Sequence, residues 1–309
     1  MARIIFILSG FTLFGCSCCE RGCGDGLYTC GVIDKTAPYI RPIKYDYQHQ
    51  LILYESGVVE IEIWGPPWVL IYSLDEICGS DSIVDIAIYD DKIVHSNFSD
   101  HPYELEPPEN EYFILALYSN RCFKLDKDFN LLFEFGWAGD DTTILIDAKA
   151  VTINYIGEIF IVDSGDGSLK IYNKEGAFQR KSSYLGLPAR IEDYNMFLYV
   201  LDKSTSTIKK YDYDGTYIAT IIDTPFFEDI VAFVFEDEDS MWLVDFDGGR
   251  VSLVSIFGTI SEVKYDCCKD DILINFGKIV EIDRMFSLFF LVDYEKNSII
   301  SFREIICAL

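Results

Sequence analysis

What most constrains this chain is a repeat. Four segments superimpose without gaps: FIVDSGDGSLKIYNKEG (160–176), YVLDKSTSTIKKYDYDG (199–215), WLVDFDGGRVSLVSIFG (242–258) and FLVDYEKNSIISFREII (290–306). Counted from Asp163, Asp202, Asp245 and Asp293, the residue six further on is apolar in every copy: Leu169, Ile208, Val251 and Ile299. Nine residues on stand Tyr172, Tyr211, Val254 and Phe302. At thirteen stand Gly176, Gly215 and Gly258, and Ile306 breaks that series. Two degenerate copies precede these. Ala116 takes the aspartate position with Cys122 and Leu125 following, and Glu55 takes it with Ile61 and Trp64 following.

The six anchors 55, 116, 163, 202, 245 and 293 are spaced by 61, 47, 39, 43 and 48 residues. Within each copy, period-2 alternation of β-branched and aromatic residues dominates, and no amphipathic helix interrupts it. The third copy reads as strands near 149–154, 158–163, 168–173 and 177–182, the fourth near 189–193, 197–202, 207–212 and 216–222. Four antiparallel strands per repeat at this spacing predict an all-β chain, a six-bladed β-propeller of four-stranded antiparallel blades. An isolated blade would leave both faces bare, so blades must pack on one another to bury their apolar residues.

The last copy ends at Leu309, too soon for an outermost strand, and a bare edge would invite aggregation. The donor expected to cover it is the segment around Val32–Ile40, ahead of a first inner strand near Ile43–Tyr47. Closure by an N-terminal strand means that removing residues 31–42 should destabilise the whole ring. The blade pattern, a Val-Asp pair, a six-residue step to an apolar residue and a D-x-D-G-like turn, resembles the NHL-type six-bladed propellers. The resemblance covers about residues 40–309. It implies a fold also found on bacterial envelope lipoproteins, and no particular activity.

The amino terminus reads MARIIFILSGFTLFGC, one positive charge at Arg3 and then an apolar run too short to span a bilayer. Leu13-Phe14-Gly15-Cys16 looks like a lipobox, with Phe14 a departure from its pattern. The expected organisation is therefore a signal peptide at 1–15, a Cys-rich anchor or linker at 16–31 and the propeller at 32–309. Cys16 is the lipidation site, and the address is the cell envelope, lipid-anchored at the outer membrane or facing the periplasm. Plain secretion, or an apolar strand in place of a leader, stays open. Ten cysteines fit an oxidising compartment. Cys18, Cys19, Cys23 and Cys30 suffice for two disulfides of undetermined connectivity, with free thiols and a metal as alternatives. Cys78, Cys122 and Cys307 sit in apolar runs as buried hydrophobes.

The net charge of −26, from 51 acids against 25 bases, repels phosphate backbones, so no nucleic acid is expected as a partner. Catalytic motifs are missing. His49, His95 and His101 are the whole histidine supply, with no H-E-x-x-H, no G-x-S-x-G and no phosphate loop. The in-phase aspartates read as turn-fixing acceptors. VDSGDGSLKIYNKEG (162–176) resembles a calcium loop, yet no glutamate stands at position 12 counted from Asp126, Asp163 or Asp212. Binding candidates are Trp68, stiffened by the preceding prolines, and His101, Tyr103 and Glu104 in the insertion at 97–110.

The function these features imply is a non-enzymatic binding or scaffold module that contacts an envelope protein or glycan and meets the membrane through its lipid only. No cofactor is expected on that reading. The alternative is a calcium-dependent hydrolase or lactonase. Its metal would sit in the central channel among Asp85, Asn154, Asp193, Glu236 and Asp283, and three or more of these side chains would have to converge.

Overall fold

In the computed structural model, side chains are described at residues 83–90, 111–140, 143–182, 185–223, 227, 229–235, 239–245 and 251–256, and further strands by their backbone. Among these residues the strands group into six antiparallel sheets, five of four strands and one of five. The chain divides into two compact units, Leu74–Thr220 and Met1–Ser73 with Ile221–Leu309.

In the first unit the second copy forms a sheet in the order Asp85–Asp90, Tyr112–Tyr118, Arg121–Leu125, Leu131–Phe135. The third copy follows as Ala148–Ile153, Ile159–Asp163, Ser168–Tyr172, Phe178–Ser182, and the fourth as Pro188–Tyr194, Phe197–Asp202, Thr207–Tyr211, Tyr217–Ile222. These bounds fall within one or two residues of those read from the spacing. In the other unit, the first sheet comprises Ile43–Asp46, Gln50–Tyr54, Gly57–Ile61 and Trp68–Ser73, with Ile4–Ile7 added beside Trp68–Ser73. The fifth copy forms Ile230–Phe235, Ser240–Asp245, Arg250–Ser255 and Ile260–Ser261. The sixth forms Ile279–Met285, Leu288–Asp293 and Ser298–Ile305, and its outer position is taken by Gly26–Asp34. That added strand begins at Gly26 rather than Val32, and its register shifts between Thr29 and Gly31, around Cys30.

The repeat is visible in the pairing register. Each in-phase aspartate ends a second strand opposite the residue five further on: Asp163 faces Ser168, Asp202 faces Thr207, Asp245 faces Arg250 and Asp293 faces Ser298. Opposite the same aspartates the inner strands bulge, between Ala148 and Ala150, Pro188 and Arg190, Ile230 and Ala232, and Ile279 and Glu281. A bulge at a fixed place in these four inner strands re-aims the backbone entering each of their sheets. It also accommodates Pro188, which could not sit within a central strand. The second copy departs from gapless alignment. Cys122 pairs with Leu117, where Leu169 pairs with Val162, because its turn is two residues shorter. Tyr118, not Ala116, therefore takes the place of the aspartate.

The strands read as almost continuous apolar runs because both faces of the sheets are covered. In the third sheet, Val151, Ile159, Ile161 and Tyr172 pack against Phe113, Leu115 and Leu117 of the second. The alternate residues Ala150, Phe160, Val162, Leu169 and Ile171 pack against Ile191, Leu198, Val200 and Tyr211 of the fourth. Only the outermost strand, Phe178–Ser182, keeps an exposed side. Cys122 is a free thiol without solvent exposure in the first of these layers, and burial holds it protonated well above the ordinary thiol range.

Candidate functional site

Side chains of chemical interest lie at two ends of the Leu74–Thr220 unit. The turns between second and third strands and the connections between sheets lie at one end, called here the loop end. The hairpins joining first to second and third to fourth strands lie at the other, the hairpin end. The inner strands run in the same direction: Asp85 Oδ2 at the start of one accepts Val151 N of the next at 2.9 Å, and Tyr89 Oη near its finish donates to Tyr155 O at 3.3 Å.

At the loop end the aspartates of the repeat act as clamps. Asp163 accepts backbone N–H groups of Ile146 at 2.8 Å, Asp147 at 2.9 Å and Gly165 at 2.9 Å, tying the incoming connection to its own turn. Its fourth donor is Lys170 Nζ at 2.6 Å, and both side chains are fully shielded from solvent. Lys170 also meets Asp166 at 3.0 Å, and Asp166 is further held by Lys181 at 2.8 Å and by the Ser168 hydroxyl. The acidic stretch 162–176 is thus neutralised from within, by cations of its own sheet.

The fourth sheet repeats the device. Asp202 accepts Leu187 N and Ser204 N, both at 3.0 Å, and Lys209 Nζ at 2.7 Å. Burial acts to raise this carboxyl. The Lys209 ammonium, the Ser204 hydroxyl and the two backbone donors outweigh it and hold the carboxyl at about 2. Within the other unit, Asp245 accepts Asp229 N at 3.2 Å. Around these clamps the loop end exposes apolar side chains. Trp137 and Ile146 lie in the connection into the third sheet and Leu187 in the connection into the fourth, each about half exposed. Ile146 lies against Gly165, and the neighbouring Ser164 hydroxyl donates to Pro188 O, so Ile146 and Leu187 flank one turn.

The hairpin end carries two of the residues expected to hold a central ion, Asn154 and Asp193. Asn154 is buried and spent on its own turn: its Oδ1 accepts Glu158 N at 2.8 Å and Ile156 N at 3.2 Å, while its Nδ2 donates to Glu158 at 2.9 Å. In the fourth sheet Asp193, opposite Leu198, takes the register place that Ile153 holds opposite Ile159 in the third, one residue before the place of Asn154. Asp193 Oδ1 accepts the Tyr213 hydroxyl at 2.7 Å. Burial pushes its carboxyl up to about 7. The Tyr213 hydrogen bond offsets part of the rise and the charge of Glu192 adds to it. Tyr213 stacks on Phe160 at 5.5 Å between centroids and leans on Tyr155 at 6.2 Å. Arg180 closes the group, donating to Tyr213 O at 2.7 Å and pairing with Glu158 at 3.4 Å and Asp214 at 3.3 Å.

The expected metal ligands are therefore divided. Asp85 binds backbone at the start of its strand. Asn154 lies three residues beyond Val151, about 10 Å along an extended strand. Among the described residues no group of three or more His, Cys, Asp or Glu side chains is arranged to hold a metal ion. Asp283 and Trp68 are placed by backbone alone, Asp283 opposite Phe290 and Trp68 opposite Ile7. Cys16, His101, Tyr103, Glu104 and Glu236 lie outside the described residues.

The Asp–Lys clamp was within reach of the sequence, since Lys170 and Lys209 each stand seven residues after the repeat aspartate. The pairing of Asp193 with Tyr213 carries no such signal, because its two members belong to different hairpins.

No protein-family model and no curated protein matches the sequence. Solved structures do match it in fold. Virginiamycin B lyase from Staphylococcus aureus aligns with TM-score 0.60 and 12% identity over 90% of this chain and 99% of its own. A catalytically inactive form of that lyase with quinupristin aligns at 0.61 and 13%, over 91% and 100%. The Pan2 WD40 domain of Neurospora crassa aligns at 0.54 and 8%, over 92% and 97%. The chain accordingly has a β-propeller fold, and identities this low carry the fold alone.

Proposed function

We propose that this chain is an NHL-type propeller of six blades, closed by its amino-terminal strand, that works as a non-enzymatic binding module at the bacterial envelope. Six strand groups and the pairing of Gly26–Asp34 with Ser298–Ile305 support the blade number and the closure. Cys16 carries the lipid in this reading, and Ile4–Ile7 leaves with the signal peptide. The observation that carries the binding role is the loop end. The repeat aspartates there are consumed as internal clamps, and the side chains it exposes include the apolar Trp137, Ile146 and Leu187 on connections held by Asp163 and Asp202. Exposed apolar groups on stiffly held loops favour docking of a protein or glycan.

Two experiments test this. Labelling cells with a palmitate analogue should mark the wild type and leave Cys16→Ser unmarked, and equal labelling would remove the anchor. The membrane-extracted protein should capture a defined envelope partner or glycan. A Trp137→Ala, Leu187→Ala variant that captures it equally well would remove the loop end as the docking face.

One observation favours a second reading, catalysis at the hairpin end. A carboxyl held near neutrality beside a tyrosine hydroxyl has the properties of an acid–base pair. An activity lost on Asp193→Asn substitution with a pH profile centred near 7 would establish it.

A further inference from the structure

The first sheet differs from its counterparts at its outer edge. Beside Trp68–Ser73 lies a fifth strand, Ile4–Ile7, running antiparallel. Ile4 stands opposite Ile71, Ile5 opposite Leu70, Phe6 opposite Val69 and Ile7 opposite Trp68. Two other outer strands carry charges that blunt an edge against further pairing, Arg180 and Lys181 in Phe178–Ser182 and Glu134 in Leu131–Phe135. Trp68–Ser73 reads WVLIYS, an uncharged run without proline, the composition that most readily accepts another strand. Tyr217–Ile222 is uncharged too, and among the described residues no strand stands beside it. What sets Trp68–Ser73 apart is that a strand of this chain is seated on it.

We infer that Trp68–Ser73 is a strand-acceptor edge, covered by Ile4–Ile7 in the unprocessed chain and, once the leader has left, by an extended apolar segment of another polypeptide. This rests on the reading above in which residues 1–15 are removed. Loss of Ile4–Ile7 uncovers a row of backbone N–H and C=O groups along Trp68–Ile71, and a new strand that pairs with them gains a ladder of hydrogen bonds. Ile4–Ile7 shows what fits: four uncharged residues, each β-branched or aromatic, laid antiparallel to the edge. Arg3 precedes that segment, and a cationic flank on the incoming strand suits a protein of net charge −26. The same charge, carried by both molecules, disfavours pairing of two copies of this chain edge to edge. Trp68, a contact candidate on sequence grounds, opens this edge. The edge does not depend on the docking face proposed for the loop end.

The test titrates the membrane-extracted protein with the peptide ARIIFIL, residues 2–8 of this chain. Its control is the same peptide N-methylated from Ile4 to Ile7, which keeps the apolar side chains and lacks the ladder donors. The unmodified peptide should bind saturably, roughly tenfold or more tightly than the methylated one. Hydrogen exchange should slow in Trp68–Ser73 when it binds and stay unchanged in Phe178–Ser182. Equal binding of the two peptides, no saturable binding, or protection elsewhere than Trp68–Ser73 would each overturn the edge. Protection of Trp68–Ser73 that rises with protein concentration in the absence of peptide would assign the edge to a second copy and overturn the proposed partner. Intact mass separates this inference from the leader reading. A protein that still carries residues 1–15 overturns that reading and with it the open edge, whereas one that has lost them and binds no peptide overturns the edge alone.

Discussion

At the scale of single residues, two aspartates that look alike in the sequence are driven in opposite directions by their surroundings. Asp202, met by Lys209 and backbone donors, is held at about 2, so its contribution is present above the ordinary carboxylate range and is lost as pH falls toward 2. Asp193 is raised to about 7, so its protonated form favours folding. That contribution is full below about pH 4 and declines as pH rises to about 7. Melting temperature against pH should therefore lose part of its fall between pH 4 and 7 in Asp193→Asn, and part of its acid-side fall in Lys209→Met. An unchanged profile in either variant would contradict the assignment. Lys170→Met strands a fully shielded carboxylate at Asp163, and breaking a buried pair from one side costs about 3–5 kcal/mol. Denaturant unfolding should show a loss of that order, and a loss below about 1 kcal/mol would mean water reaches Asp163.

At the scale of the element, the glycine thirteen residues after Asp163 and after Asp202 has two jobs, of which the sequence shows one. Gly176 and Gly215 take φ of 76° and 78° in the hairpin between third and fourth strands, as a turn requires. Each hairpin also rests on the outer strand of the preceding sheet. A Cβ on Gly176 would stand 2.7 Å from Phe133, and one on Gly215 would stand 2.6 Å from Ser182. Gly215→Ala adds strain at positive φ to a clash, about 2–4 kcal/mol together. Its urea midpoint should drop accordingly, and a drop no larger than that of Gly157→Ala, where the nearest atom stands at 3.3 Å on flexible Lys174, would deny the contact between sheets.

Strand positions and the register of the four strong copies were legible because apolar period-2 patterning and a fixed aspartate-to-apolar step report directly on the pleat. The second copy misled because a turn two residues shorter keeps the later positions in phase while shifting the earlier strand. The inner-strand bulges and the Asp193–Tyr213 pair were not legible, since one is a backbone event and the other joins residues that only packing brings together. Among the described metal candidates, Asp85 and Asn154 do not come together, for a related reason. Asp85 and Asn154 look equivalent in composition, but they sit at opposite ends of neighbouring inner strands.

At the scale of the whole molecule, the closure proposed above makes a short strand near the amino terminus matter to residues at the other end of the chain. Deleting residues 26–34 removes the partner of Ser298–Ile305 and exposes an edge. Backbone amides in Ser298–Ile305 should lose hydrogen-exchange protection and the melting temperature should fall, whereas intact protection would mean that the last sheet stands without the added strand.

The binding role is tested most directly by placing a photo-cross-linking amino acid at Ile146 on the loop end and, as a control, at Gln179 on an outer strand, in living cells. A discrete cross-linked species at Ile146 and none at Gln179 is the expected result. Absence of any product at Ile146, or the same products at both positions, would contradict a docking function for that face.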